Sequence, residues 1–252
     1  MKSKAVWAIP VVMAGVTLSA TASACGEAAE GDESDSLALA TDSARLEQIR
    51  LDSIKAVEAD SLERYRSLTD ADFRLVAEEL GVEVAAMKAV VYIEAGAAMK
   101  GFLLPGVPVI NFDPTMYRQM APKAKSKAGD KNAKVPEGLS GYGLKEWKQL
   151  TEARHKNLEG ADMGTFWGMF QIGGFNYKIC GCESVQEFVD KMSYSELEQL
   201  ELFAKLIENT GMVKHLRNKD WAKFARAYNG PSYAKRGYHT RMANAYKKFL
   251  QQ

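Results

Sequence analysis

The chain has 252 residues, 46% of them apolar and 10% aromatic, and its 33 Lys and Arg nearly balance 32 Asp and Glu, giving a formal net charge of +1. This is enough apolar material to bury one sizeable core, alone or with an appendage, and it excludes disorder throughout.

Lys2 and Lys4 precede an apolar run from Ala5 to Leu18, and Ala22-Ser23-Ala24 follows with the small-x-small pattern of a cleavage site. Residues 1–24 therefore read as a signal peptide that is exported and removed. Cys25 stands directly after that site, so the segment also resembles a bacterial lipobox, with Ala22 where Leu is usual. Two outcomes follow: a lipoprotein anchored to a membrane through acylated Cys25, or a plain secreted protein with a spare thiol.

Residues 25–69 form an acidic tether. They carry eleven acids and five bases, net −6; allowing for the two leading lysines, the chain's +1 leaves +5 for residues 70–252. The opening "GEAAEGDESDS" has no apolar content to bury. From Thr41 onward Leu46, Ile49, Ile54, Val57, Leu62 and Tyr65 recur at steps of three and five, which predicts an amphipathic helix, either a pairing surface or a spacer.

A folded domain is predicted over 70–252. Thr69 lies three residues ahead of Asp72 and Gly81 closes the run, the signs of a capped helix start and a glycine stop. A second helix, "VEVAAMKAVVYIEAG", follows, and Glu94 shares one face with Met87, Val90 and Val91. A carboxylate on that face points into core or cleft, where burial raises its pKa toward what a general acid needs. The alternative is a glutamate paired with a buried arginine or turned outward at a frayed helix end.

"GFLLPGVPVINFD" reads as a hairpin around Pro105-Gly106, with Asp113 at the end of its second strand. Lys123 to Lys134 lacks apolar residues and predicts a mobile, solvated loop; with no interleaved aromatics, it gives no sign of nucleic-acid binding. The stretch Thr165 to Tyr177, "TFWGMFQIGGFNY", holds thirteen uncharged residues around a single glutamine.

Cys180 and Cys182 form C-x-C, whose one-residue disulfide loop would be strained, and His155, His215 and His239 offer no zinc spacing beside them. Structural or free thiols are expected, with no metal and no cofactor. Ser184/Glu187 and Ser195/Glu198 predict two further capped helices around the site, the second ending at Gly211. In "DWAKFARAYNG", Asp220 is a predicted N-cap, Trp221, Phe224, Ala225 and Tyr228 share a face, and Asn229-Gly230-Pro231 ends the helix. Together these elements give a mainly α (α+β) fold.

The combination of a Glu ending an apolar helix, a "GMFQI" segment and an "AYNG" segment resembles the lysozyme-like glycosidases, notably goose-type lysozymes and soluble lytic transglycosylases. The resemblance is closer to the bacterial and phage N-acetylmuramidase family and runs from Leu68 to Tyr246. It implies a lysozyme-like helical domain with a small β-hairpin beside a cleft for peptidoglycan glycan strands. It implies Glu94 as general acid, Gln171 and the Gly168 backbone along the cleft, and Tyr228 and Asn229 near the scissile bond.

Two departures stand out: the chain has Glu94-Ala95 where relatives often read Glu-Ser, and "FDPT" at Phe112 to Thr115 where they read Phe-Glu-Arg-His. Asp113 is the candidate second carboxylate. On this reading Thr165 to Tyr177 is the wall and floor of the sugar cleft, with Phe166, Trp167 and Phe175 as apolar faces, Gly168, Gly173 and Gly174 admitting close approach, and Gln171 as polar handle. The alternative for that stretch is a buried core helix with one satisfied glutamine. Hydrolysis, lytic transglycosylation through the muramic acid 6-hydroxyl, and wall binding without turnover remain open.

Overall fold

A computed structural model describes residues 32–96 and 99–251, with side chains described from residue 45 onward. The expected signal peptide at residues 1–24 and Cys25 lie outside the described residues. The chain divides between Ser53 and Ile54 into two compact units. Helix α1 (Asp32–Arg64) supplies the described part of the first and the start of the second. Its apolar residues Leu46, Ile49, Val57 and Leu62 are exposed. No helix among the described residues is long and apolar enough to cross a membrane.

Residues 54–252 form a helical unit with two small sheets. Helix α2 (Asp70–Leu80) starts where Asp72 accepts from the Thr69 N–H at 2.7 Å and from its hydroxyl at 2.8 Å. It ends at Gly81, whose φ of 59° lets the Val82 N–H turn back onto Ala77 O. Helix α3 (Val84–Glu94) is the hydrophobic centre of the unit: Ala86, Met87, Ala89, Val90 and Val91 are all fully buried. Burial of this kind is worth about 1.5–3 kcal/mol for each large aliphatic side chain, which is why a helix so poor in polar residues lies inside.

Strands β1 (Phe102–Leu104) and β2 (Val107–Pro108) make a hairpin around Pro105-Gly106, but its second strand stops at Pro108 instead of reaching Asp113, because the next residues pair within a different sheet. The chain then continues into β3 (Ile110–Phe112), which pairs antiparallel with β4 (Thr165–Trp167), and β4 pairs with β5 (Ile172–Gly173). The uncharged stretch is therefore two strands, a turn and a 3-10 turn (Gly174–Asn176), and the core-helix alternative is excluded. Helix α4 (Pro114–Met120) follows β3.

The lysine-rich segment is held, contrary to the expectation of a mobile loop. Lys127 Nζ donates to the carbonyls of Ala121, Pro122 and Ala124 at 2.6–2.9 Å. Asp130 N–H donates to Arg154 O, and Leu158 N–H to Ala128 O. Helices α5 (Gly141–Arg154) and α6 (Leu158–Met163) lead into β4. Here Asp162 is buried against Arg154, with Nε–Oδ1 2.6 Å, while the guanidinium lies 5.7 and 5.5 Å from the ring centres of Trp147 and Trp167.

Helices α7 (Val185–Met192) and α8 (Glu196–Asn209) begin as predicted, with the Ser184 hydroxyl accepting from Glu187 N–H and the Ser195 hydroxyl from Glu198 N–H, each at 3.1 Å. Cys180 and Cys182 are free and buried, and burial pushes their thiols up to about 12 and about 11. Helices α9 (Val213–Arg217), α10 (Trp221–Asn229) and α11 (Tyr238–Phe249) complete the unit, α11 packing along α3. No cluster of His, Cys, Asp or Glu among the described residues has metal-binding geometry.

Candidate active site

A cleft of about 450 Å³ opens where the C-terminal end of α3, the β4–β5 turn and the end of α10 meet, lined by Glu94, Gln171, Tyr228 and Asn229 among others. Four of the six site positions inferred from sequence thus share one concavity. Glu94 is the only carboxylate among the described residues lining it.

Glu94 is brought there by helical periodicity, on the last turn of α3 below the buried Val90 and Val91. Burial raises its pKa to about 7, against the opposing pull of an Asn229 hydrogen bond and the Arg241 charge. Its place at the negative end of the α3 dipole acts in the same upward direction. Asn229 Nδ2 donates to Glu94 Oε1 at 2.9 Å, so the carboxyl proton is left to Oε2. Asn229 can do this because Gly230, at φ 75°, and Pro231 stop α10 at that residue.

Tyr228 donates its hydroxyl hydrogen to Phe170 O at 2.9 Å, and burial raises its pKa well above the ordinary phenol value. The hydroxyl is therefore neutral and committed to the turn, while the ring stacks on Phe224 at 5.9 Å and meets Phe203 edge-on at 5.4 Å. Phe203 in turn stacks on Phe170 at 4.4 Å. This aromatic column fixes the cleft floor.

Gln171 takes a left-handed conformation at φ 49°, unusual for a residue with a side chain. Its Nε2 donates to Gly168 O at 2.8 Å, and no protein donor among the described residues reaches its Oε1, which stays available as an acceptor. Gly168 itself does not line the cleft; its φ of 69° makes the turn. A Cβ there would lie 2.6 Å from Gln199 Oε1. Gly168 therefore shapes the wall from behind.

Of the three aromatics expected to face the sugar, Phe166 and Phe175 line the cleft and Trp167 does not. Trp167 is fully buried and donates Nε1–H to Asp162 O at 3.0 Å. Strand alternation explains the difference, because β4 turns Phe166 and Trp167 to opposite faces. Gly173 lines the cleft, whereas a Cβ on Gly174 would strike Asp162 O at 2.1 Å, so that glycine serves packing.

Asp113 is the N-cap of α4, its Oδ1 accepting from Thr115 N–H at 2.7 Å and Met116 N–H at 3.0 Å, and it is absent from the cleft lining. The Pro114 ring at the first helical position and the carboxylate before it are a helix start, a local signal that competes with any catalytic reading of "FDPT". Sequence reasoning missed Asn176, Thr210 and Tyr238, which also line the cleft. Asn176 and Tyr238 sit inside the two most distinctive stretches of the chain, but neither has a spacing that separates it from scaffold.

Comparison with known proteins bears on this geometry directly. Residues 83–250 match the family model for N-acetylmuramidase. The crystal structure of the Burkholderia AP3 phage endolysin superposes with a TM-score of 0.62 and 38% identity, covering 74% of this chain and 73% of that one. No curated protein sequence matches the chain. A family match that takes in Glu94, the β4–β5 turn and the α10 terminus together, with a solved relative at this identity, leads to one conclusion: the chain belongs to the N-acetylmuramidase family of lysozyme-like peptidoglycan hydrolases.

Proposed function

We propose that the protein cleaves the β-1,4 bond between N-acetylmuramic acid and N-acetylglucosamine in peptidoglycan, with Glu94 as the general acid. The observation that carries this is a half-buried carboxyl, protonated up to about pH 7, that is the one charged group among the described residues lining the cleft. Glu94 delivers its proton to the glycosidic oxygen as the sugar flattens toward an oxocarbenium ion. Asn229 holds Oε1 and orients the carboxyl, Gln171 Oε1 accepts from a sugar hydroxyl or acetamide N–H, and Phe166 and Phe175 offer apolar faces to the rings.

The lone carboxylate also supports a second reading. With Asp113 engaged as a helix cap, the sugar carbon is met by water or by the substrate's own 6-hydroxyl, the latter giving 1,6-anhydro products. A wall-binding module without turnover is disfavoured by the raised pKa of Glu94, which binding alone does not call for. We further propose that residues 1–24 direct export, that residues 25–69 tether a wall-acting domain at 70–252, and that Cys25 is the anchoring position if it is acylated.

Digestion of purified peptidoglycan, with mass spectrometry of the released fragments, tests the assignment. Reducing muramic acid ends that vanish in Glu94→Gln establish the hydrolase, with a loss of about 10²-fold or more expected. Anhydro ends establish the transglycosylase. Undiminished release by Glu94→Gln removes Glu94 from the mechanism.

A further inference from the structure

The last 32 residues hold seven Lys and Arg and no Asp or Glu. This segment builds one side of the cleft through Tyr228, Asn229 and Tyr238. Among the described residues only Lys223 of those seven forms a salt bridge, with Asp220. A wall of a substrate cleft that leaves its cations unpaired while the rest of the surface pairs many of its own is an arrangement for meeting an anion.

Two of these cations face a specific concavity. A groove of about 390 Å³ runs between α3 and α11, lined by Tyr92, Ile93, Arg241, Asn244, Ala245 and Lys248. It adjoins the cleft on both walls. On α3, Tyr92 and Ile93 immediately precede Glu94; on α11, the Arg241 guanidinium lies 5.7 Å from the ring centre of Tyr238, which lines the cleft. Lys248 Nζ lies 5.2 Å from the Tyr92 ring centre. The floor of the groove is apolar, with Ile93 and Ala245 both buried, and its rim carries two cations and the Asn244 amide.

Resting on the reading of the cleft as a peptidoglycan site, we propose that this groove binds the peptide stem that branches from muramic acid, with Arg241 and Lys248 receiving its free carboxylates. The stem leaves the glycan strand at the sugar being processed, so its subsite must adjoin the cleft. Short stems of alanine, glutamate and a diamino acid present small apolar groups and carboxylates together, which matches an apolar floor beneath a cationic rim. Arg241 offers a forked donor set suited to a carboxylate, and Lys248 a point charge.

The test is binding of a soluble stem tetrapeptide to the full-length chain, read by calorimetry or by perturbed amide signals in NMR, so that it needs no turnover. The affinity should fall about tenfold when Arg241→Gln and Lys248→Gln are combined, as expected for losing charge-assisted hydrogen bonds. It should fall similarly when the peptide carboxylates are capped as methylamides. Arg226→Gln with Lys235→Gln removes the same charge outside the groove lining and is the comparison: an equal loss would reduce the effect to net charge and overturn the proposal. No measurable binding of the peptide by the unaltered chain would overturn it as well. Glu94→Gln should retain the affinity. An unaltered chain that binds the peptide but digests no peptidoglycan sinks the assignment of the cleft and leaves the groove standing, whereas an unaltered chain that digests peptidoglycan but does not bind the peptide does the reverse.

Discussion

At the scale of the residue, Glu94, in the acid role proposed for it, would couple activity as well as stability to pH. It holds its proton up to about pH 7, so turnover should plateau below that value and fall about tenfold for each further pH unit. Asn229→Ala removes a donor that lowers this pKa, and the alkaline limb of the rate profile should move upward; an unmoved limb would separate the pair functionally. In stability the sign is opposite to that of a salt-bridged carboxylate. The folded value lies above the ordinary 4.5, so the group costs nothing below about pH 4.5, and its cost grows from there to pH 7. The full cost above pH 7 is about 3 kcal/mol. Glu94→Gln should therefore melt level with the parent at pH 4 and higher at pH 8, and an equal difference at both values in thermal scans would refute the buried-acid account. Helical spacing made Glu94 legible as a carboxylate on an apolar face, because an i, i+3, i+4 face follows from backbone geometry alone, whereas Tyr228 and Asn229 were singled out by the family resemblance, since a tyrosine on a packed face reads equally as core. The role of Asp113 was not legible, since an aspartate ahead of proline serves equally as a helix cap and as a strand-end acid until its neighbours are known.

At the scale of the element, the β4–β5 turn that carries Gln171 is held from behind by one side chain on α8. Gln199 is fully buried; its Oε1 accepts from Met169 N–H at 2.8 Å, and its Nε2 donates to Met192 O at 2.8 Å and Gly101 O at 3.3 Å. Gly101 and Gly168 are glycines because a Cβ at either would lie within 2.6 Å of that amide. Gln199→Leu leaves a buried N–H and buried carbonyls without partners and should cost about 3 kcal/mol. In urea it should lower the midpoint with an unchanged slope; a loss under 1 kcal/mol would show that the turn holds itself. The uncharged stretch announced a cleft wall, but its strands are two and three residues long, too short for alternation to declare itself before the partner strand is known. The lysine-rich segment was misread for a related reason. Most of its anchors are backbone carbonyls and amides at the ends of α4 and α5, which composition does not reveal.

At the scale of the molecule, the question is where the catalytic unit starts. The capping signal at Thr69 places the edge of the helix at Asp70, yet contacts reach further back. Arg66 grips Asp72 with both terminal nitrogens at 2.6 and 3.0 Å and holds its carboxyl down at about 2. Leu68 N–H donates to the buried Glu196 at 3.2 Å, beside the Gly101 N–H at 2.8 Å, and Tyr65 meets Phe102 edge-on at 5.2 Å. These groups tie residues 65–68, within the segment proposed as a tether, to α2, β1 and α8, and α8 also holds the cleft wall through Gln199. A chain begun at Asp70 loses the ion pair, the helix cap and the Tyr65–Phe102 contact, and leaves one oxygen of Glu196 without its donor. The expected cost is about 3–5 kcal/mol, which for a unit of this size lowers the melting temperature by about 10 °C. A chain begun at Ile54 keeps all of these groups and should melt with the full-length protein. Thermal unfolding of the two shortened chains decides the matter: equal melting temperatures would mean that the tether is only a leash, and a deficit confined to the Asp70 start would mean that its final turn belongs to the enzyme's scaffold.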